Sequence, residues 1–278
     1  MGIALIEFES FTPEYLVSKY IKCYWMIKGN NNLSSYNKTI LPHNEVCMTF
    51  LIGKESIETS KNKNSINTGI YVSLASSKNY SIDFKDKFHY VDVSFYPGVF
   101  YELFKIPLDK LESKLYSIDE LCIKMDKSIL ETLYEKKDNN KETVNILNNY
   151  FSKLFYRLDE NQFLNNIKNL CINSNLEEFY NNSRLSTRQI QRETKKFTGM
   201  TPRTIQRISR FYKILEQLKY SSNPNFATIA QNLDFYDQSH LIKDFKSFSG
   251  LNLKDFIQTN SNYLQFQSKE YCHNNITI

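Results

Sequence analysis

The sequence predicts an α+β protein. A β-rich, barrel- or sandwich-like region spans residues 1–115, a helical connector 116–160, an all-helical region 161–260 and a polar tail 261–278. Three observations lead there. Short runs of aromatic and β-branched residues, broken by Asn-rich stretches, fill the first third of the chain. From Ile118 onward, apolar residues recur at the 3 and 4 spacings of a helix. Arginine is segregated: six of the seven (Arg184, Arg188, Arg192, Arg203, Arg207, Arg210) lie within 27 residues.

In the first region, Ile21–Ile27 (IKCYWMI), Val46–Ile52 (VCMTFLI), Ile70–Leu74 and Tyr90–Tyr96 (YVDVSFY) have strand composition. Asn30–Asn37 and Ser60–Gly69 read as loops. Pro97-Gly98 ends the last strand, and Val99–Phe104 begins a helix. In the connector, Ile118, Leu121, Cys122 and Met125 share helical spacing, as do Ile129, Leu130, Leu133 and Tyr134. Lys136–Glu142 is a polar hinge, and Val144–Leu158 is amphipathic through Ile146, Leu147, Tyr150, Phe151, Leu154 and Phe155. Helices in such a place either dimerise or cover the β-region.

The third region opens with a helix through Phe163, Leu164, Ile167 and Leu170, then a short one through Leu176, Phe179 and Tyr180. Ser186 is a good N-cap for a helix running to Phe197, and Gly199 stops it. Thr201-Pro202 restarts the chain with proline in a first turn. Ile205, Ile208, Phe211, Tyr212, Leu215 and Leu218 then make one stripe on a long helix. Ser221–Asn225 is a turn. Ile229, Ala230 and Leu233 mark a short helix, and Asp237 caps another with Leu241 and Phe245 facing inward.

Charge follows the same division. Residues 161–260 hold 14 Lys/Arg against 8 Asp/Glu, and the remainder holds 21 against 22, within a net charge of +5. From Arg184 to Lys213, nine Lys/Arg accompany one acid, Glu193. A polyanion partner for this region is implied. Arginine adds a forked donor suited to phosphates and base edges. An apolar content of 41% with 39 Phe and Tyr supports a folded core. The five cysteines (Cys23, Cys47, Cys122, Cys171, Cys272) are single and lack CxxC spacing, against a disulfide framework or a Cys-rich zinc site. The start, MGIALIEFESF, has no basic n-region. No apolar run approaches the roughly 18–20 residues of a membrane span. Cytoplasmic location and no membrane partner are the expectations.

The region 185–250 carries its pattern twice: short helix, turn, polar helix, and an ending near Gly199 and again near Gly250. A helix that reads DNA needs an apolar face for docking and a polar face that reaches base edges. Ile190 is the inward anchor of the first, with Thr187, Arg188, Gln191, Arg192 and Lys195 outward. In the second, Gln238, Ser239, Ile242, Lys243 and Lys246 face out. Arg suits guanine and Gln suits adenine. The rival reading is a solvated face on an ordinary helical bundle.

LSTRQIQRETKKFTGMTP (Leu185–Pro202) and DFYDQSHLIKDFKSFSG (Asp234–Gly250), with the long helix between them, resemble the paired helix-turn-helix units of AraC/XylS-type transcriptional regulators. The likeness covers residues 161–260. More weakly, LPHNEVCMTFLIG (Leu41–Gly53) and VDVSFYPGVFYELFKIPLDKL (Val91–Leu111) resemble the small β-rich N-terminal domain of some of these regulators. The resemblance implies two helix-turn-helix subdomains joined by a long helix, entering successive major grooves about 34 Å apart. It implies base reading by Arg188, Gln191 and Arg192 and by Gln238, Ser239, Ile242 and Lys243. Thr187, Lys195, Arg203, Arg207, Lys213 and Lys246 would meet the DNA backbone. A sequence-specific DNA-binding regulator is thus expected, its N-terminal region sensing a small-molecule effector, forming a homodimer, or both, with RNA polymerase as a further candidate partner. The alternative is a protein-interaction module with a degenerate DNA-binding domain. The chain departs from the usual pattern at Tyr180, Arg184 and Thr194 in the first unit, and at Asp234 and Leu253 in the second.

No catalytic constellation, cofactor or metal is expected. There is no glycine-rich phosphate loop and no Ser/His/Asp or Cys/His order, and His43, Glu45 and His89 make only a weak ligand set. His240 supports its turn with Asp237. Trp25 is either a core aromatic, the commoner case, or a wall of an effector pocket.

Overall fold

The computed structural model describes residues 6–29, 36–52, 57–59, 62–84, 88–219, 224–253 and 255–256. The larger of two antiparallel sheets contains β1 (Ile6–Phe11), β2 (Ile21–Gly29), β4 (Val46–Leu51), β7 (Gly69–Ser73), β9 (Phe88–Phe95) and β10 (Leu115–Ser117), in the order β1-β2-β9-β4-β7-β10. The smaller, in the order β3-β8-β5-β6, contains β3 (Tyr36–Ile40), β5 (Ile57–Thr59), β6 (Asn62–Ile66) and β8 (Tyr80–Phe84).

The four strands expected from composition are the centre of the large sheet. Tyr24, Met26, Val46, Met48, Phe50, Val72, Val91, Val93 and Phe95 line one face and are buried. That face is covered by α1 (Val99–Phe104), α2 (Ile129–Glu135) and α3 (Asn140–Phe155), which contribute Phe100, Leu133, Leu147, Phe151 and Phe155 to one core. The amphipathic stripe of α3 is thus used up on the sheet, and its Asn148 accepts hydrogen bonds from the Tyr24 hydroxyl (2.9 Å) and the Glu14 amide (3.3 Å). The other face meets the small sheet through Ile27, Leu51, Phe88 and Tyr90 on one side and Ile40 and Ile66 on the other.

Two expectations are corrected. Ser60–Gly69 contains β6 (60 and 61 lie outside the described residues), which pairs with β5 through Ile57↔Ile66 and Thr59↔Asn62. Its sequence, NKNSI, shows no apolar alternation that would mark it as a strand, although Ile66 at its end is buried in the inter-sheet core. The stretch Ile118–Met125, expected as a helix, is instead turn and irregular chain directly after β10. The Ile118 amide bonds to the Ile70 carbonyl (3.1 Å) and continues the ladder, while Cys122 takes a left-handed φ of 53°. Ile118 and Ile123 still reach the core, so burial is achieved without a helix. In the stretch read as a loop from Asn30, β3 begins at Tyr36, and 30–35 lie outside the described residues. So do residues 221–223 of the turn at Ser221–Asn225 and the tail at 261–278.

The remaining helices are α4 (Gln162–Asn173), α5 (Leu176–Asn181), α6 (Thr187–Thr198), α7 (Pro202–Lys219), α8 (Phe226–Asn232) and α9 (Gln238–Ser249). They close a second core around Ile167, Ile190, Ile205, Ile208, Phe211, Leu241 and Phe245. This core meets the first region along a seam. Gly98 stands at φ 90° in the turn before α1, a conformation that favours glycine, and a Cβ there would lie 2.5 Å from Leu164 Cδ2 of α4, so that side chain would also have to shift. Tyr101 of α1 packs at a tilt against Phe197 of α6 with centroids 4.2 Å apart, and Lys196 lies over the same tyrosine ring. The Asn44 amide donates to Ser209 Oγ (3.2 Å) and the Ile205 carbonyl (3.4 Å) of α7. Asn79 donates to the Ser249 carbonyl at the end of α9 (3.3 Å).

Candidate nucleic-acid interface

Helix α6 begins with a complete capping box. Ser186 Oγ accepts from the Gln189 amide, and the Gln189 side chain accepts from the Ser186 amide (3.0 Å). Two N–H groups that a helix start leaves open are thereby satisfied. Gly199 ends the helix at φ 75°. Ile190, Thr194, Phe197 and Thr198 face the core. The Thr194 and Thr198 hydroxyls donate to the carbonyls four residues back, each at 2.7 Å, so burial leaves neither unsatisfied. Thr194, one of the departures noted above, is therefore a satisfied core residue.

The opposite face of α6 carries Thr187, Arg188, Gln191, Arg192 and Lys195, all exposed. Arg192 lies against its neighbour Glu193 (3.2 Å). Gln191 donates to the Tyr180 hydroxyl of α5 (3.3 Å), so the second departure, Tyr180, holds a side chain of the outer face. Arg184, the third, is exposed before the cap.

Helix α9 repeats the design with different residues. Asp237 accepts from the His240 amide (2.7 Å), the cap expected for this pair. Asp234 takes φ 55°, the left-handed turn position. Leu241, Phe245 and Phe248 are buried. Gln238, Ser239, Lys243 and Lys246 are exposed, whereas Ile242 is half-buried against the core. Tyr236, next to the cap, is 92% exposed.

The bases of α7 have a different character. Arg203 is exposed. Arg207 donates through Nε (2.8 Å) and Nη2 to Asp244 Oδ1, bonds Ser247 Oγ (3.1 Å) and lies over the Phe248 ring. Arg210 donates to the Asp234 carbonyl (3.2 Å) and lies over Phe235. Lys213 donates to the Asn173 carbonyl (2.8 Å), and burial holds its ammonium below the ordinary lysine range. Arg207 and Lys213 thus brace helices within the protein. Asp244, which aligns α7 with α9, escaped the sequence reading. The signal was present: it is the one acid of α9 and lies three residues beyond buried Leu241.

Elsewhere, His43 Nδ1 meets the Glu45 carbonyl (3.0 Å), and the Glu45 carboxylate pairs with Lys22. Among the described residues no cluster of three or more His, Cys, Asp or Glu is placed to hold a metal ion, and no helix is long and apolar enough to cross a membrane.

Two capped helices, each anchored by an apolar face and presenting an exposed basic and amide-bearing one, define a helix-turn-helix DNA-binding protein. Residues 181–259 match the family model described as a helix-turn-helix domain, and this part of the chain belongs to the AraC-type family. Residues 9–117 match a domain of unknown function, DUF6597. Among solved structures, the chain is similar to ToxT from Vibrio cholerae at 10% identity, covering 92% of this chain and 98% of that one with a TM-score of 0.45. Wild-type ToxT bound to an unsaturated fatty acid is 13% identical, covering 92% and 95%, with a TM-score of 0.42. The AraC-like transcriptional activator CuxR is 9% identical, covering 93% and 80%, with a TM-score of 0.31. Scores this low carry neither a ligand nor a residue role across. No curated protein matches the chain. The chain is a DNA-binding transcriptional regulator.

Proposed function

We propose that the protein reads a specific duplex sequence with both units, α6 and α9 entering successive major grooves about one helical turn apart. The observation that supports this best is the exposed polar face on each helix, interrupted in α9 by half-buried Ile242 and set on a capped and buried opposite face. Arg188, Gln191 and Arg192 read one half-site, and Gln238, Ser239, Ile242 and Lys243 the other. Thr187, Lys195, Arg203 and Lys246 meet phosphates. Arg207 and Lys213 reach the backbone from braced positions, acting as fixed charges rather than free arms. The N-terminal region, 1–115 with the helices of 116–160 packed on it, is the control domain for the DNA-reading region 161–260, acting through an effector, a second copy, or both. Regulation of this kind works by differential affinity for two arrangements.

Selection of duplex sites with the purified protein, followed by titration of Arg188→Ala, Lys243→Ala and the double variant, tests the reading. Each single change should cost about 1–3 kcal/mol at the selected site and relax preference at one base. Unchanged affinity in the double variant would remove these faces from the interface. Absence of duplex binding at low salt would favour the protein-interaction alternative.

A further inference from the structure

On both reading helices, the residue that follows the inward anchor is held in place. Counted from the N-caps Asn175, Ser186, Asn225 and Asp237, the fifth residues are Tyr180, Gln191, Ala230 and Ile242. The pair Ala230 and Ile242 in the second unit thus corresponds to Tyr180 and Gln191 in the first. In the second unit the hold is apolar: Ala230 is buried, and Ile242 packs against the core. In the first it is polar. Gln191 Nε2 donates to the Tyr180 hydroxyl (3.3 Å), from the reading helix to the supporting one.

Tyr180 is itself fixed. Its ring meets Phe179 edge-on with centroids 5.8 Å apart and packs against the helical core. Asn175 caps α5 by accepting from the Glu178 amide (3.0 Å). Of the three reading positions on α6, Gln191 alone is tied to another helix among the described residues. Arg192 lies against its own neighbour Glu193, and Arg188 stands exposed.

A tied glutamine differs from a free one in two ways. Its amide has two N–H donors and one carbonyl oxygen. One N–H goes to Tyr180, which leaves the other beside Oε1. That donor–acceptor pair matches N7 and N6 of adenine in the major groove. The side chain has also given up rotamer freedom before binding rather than on binding. Both effects favour one base over the rest, whereas a free glutamine turns its amide to suit a donor or an acceptor.

We propose that Tyr180 is a positioning residue for base recognition: its hydroxyl sets the Gln191 amide to read adenine at one position of the first half-site. The inference rests on the reading of α6 as a base-reading helix and deepens it. Tyr180 acts through Gln191 and touches no base itself.

The test uses the full-length protein and the duplex it selects. The position whose preference is lost in Gln191→Ala is identified first, and Arg188→Ala marks a second position as a control. Wild type and Tyr180→Phe are then titrated with duplexes carrying each of the four base pairs at both positions. Tyr180→Phe keeps the ring and its packing and removes only a hydroxyl at the surface, so its melting temperature should match wild type. It should lower the preference for adenine at the Gln191 position by roughly 2- to 10-fold. It should leave the Arg188 position unchanged and add nothing in the Gln191→Ala background. An unchanged adenine preference in Tyr180→Phe overturns the proposal, as does an equal loss at both positions or full additivity with Gln191→Ala. So does a base other than adenine at the Gln191 position, or a Gln191→Ala variant that loses no position. If Arg188→Ala loses a base while Tyr180→Phe loses none, the DNA reading stands and this positioning role falls. Failure of the Arg188 and Lys243 titrations instead removes the reading on which the inference rests.

Discussion

A single carboxyl group, Asp92, ties the stability of the β-region to pH. Burial pushes Asp92 up to about 6 from 3.8, with the Thr49 hydrogen bond opposing it. The folded chain therefore holds this proton more tightly than the unfolded one. Its contribution to stability is complete below about pH 3.8, declines as pH rises and is lost above about 6. Tyr80 on β8 and Tyr90 on β9 interact with Asp92, and burial raises the pKa of both. Asp92→Asn should therefore gain on wild type by about 1–3 kcal/mol between pH 4 and pH 7.5, read by urea denaturation. A difference that stays constant with pH would mean that Asp92 does not titrate in this window. At this scale the sequence was only partly legible. Arg188, Gln191 and Arg192 announced themselves by clustering and helical phase. Asp92 did not, since nothing in YVDVSFY shows which neighbours a strand will bring beside it.

For the elements, legibility followed burial. The runs at β2, β4, β7 and β9 are apolar because both sheet faces are covered, and such runs are visible in one dimension. Strands β1, β3, β5, β6 and β8 are held largely by pairing with neighbours and carry polar sequences such as YNKTI and NKNSI, which read equally well as loops. Helices fared better because caps are local. Ser186, Asp237, Gly199 and Gly250 stand where the sequence puts them. The capping box of α6 also makes a prediction. Ser186→Ala removes the acceptor for the Gln189 amide and should lower stability by about 1 kcal/mol in thermal denaturation. A loss within error would show that solvent replaces the cap fully. The alignment of α7 with α9 rests on Arg207 and buried Asp244, a pairing across 37 residues that no local pattern displays.

Across the whole molecule, charge is partitioned between a near-neutral β-region and a basic helical one. Association with DNA should therefore weaken linearly in log affinity against log salt. Lys246→Ala, exposed on α9 and free of the reading positions, should lower that slope by about 1 and weaken all duplexes alike. A loss confined to certain sequences would make Lys246 a base reader. The order of a β-rich part and a basic helical part was legible here because composition changes along the chain; the seam between the halves was not, being made of single residues. That seam has a mechanical consequence. Lys168 of α4 donates to the Lys19 carbonyl (3.4 Å), α6 meets Tyr101, α7 meets Asn44 and α9 meets Asn79. Attachment at several separated points is over-determined, like a table on more legs than it needs. Loss of one leaves the others to hold the posture, so freeing the helical half would take several letting go together, a threshold event rather than a graded one.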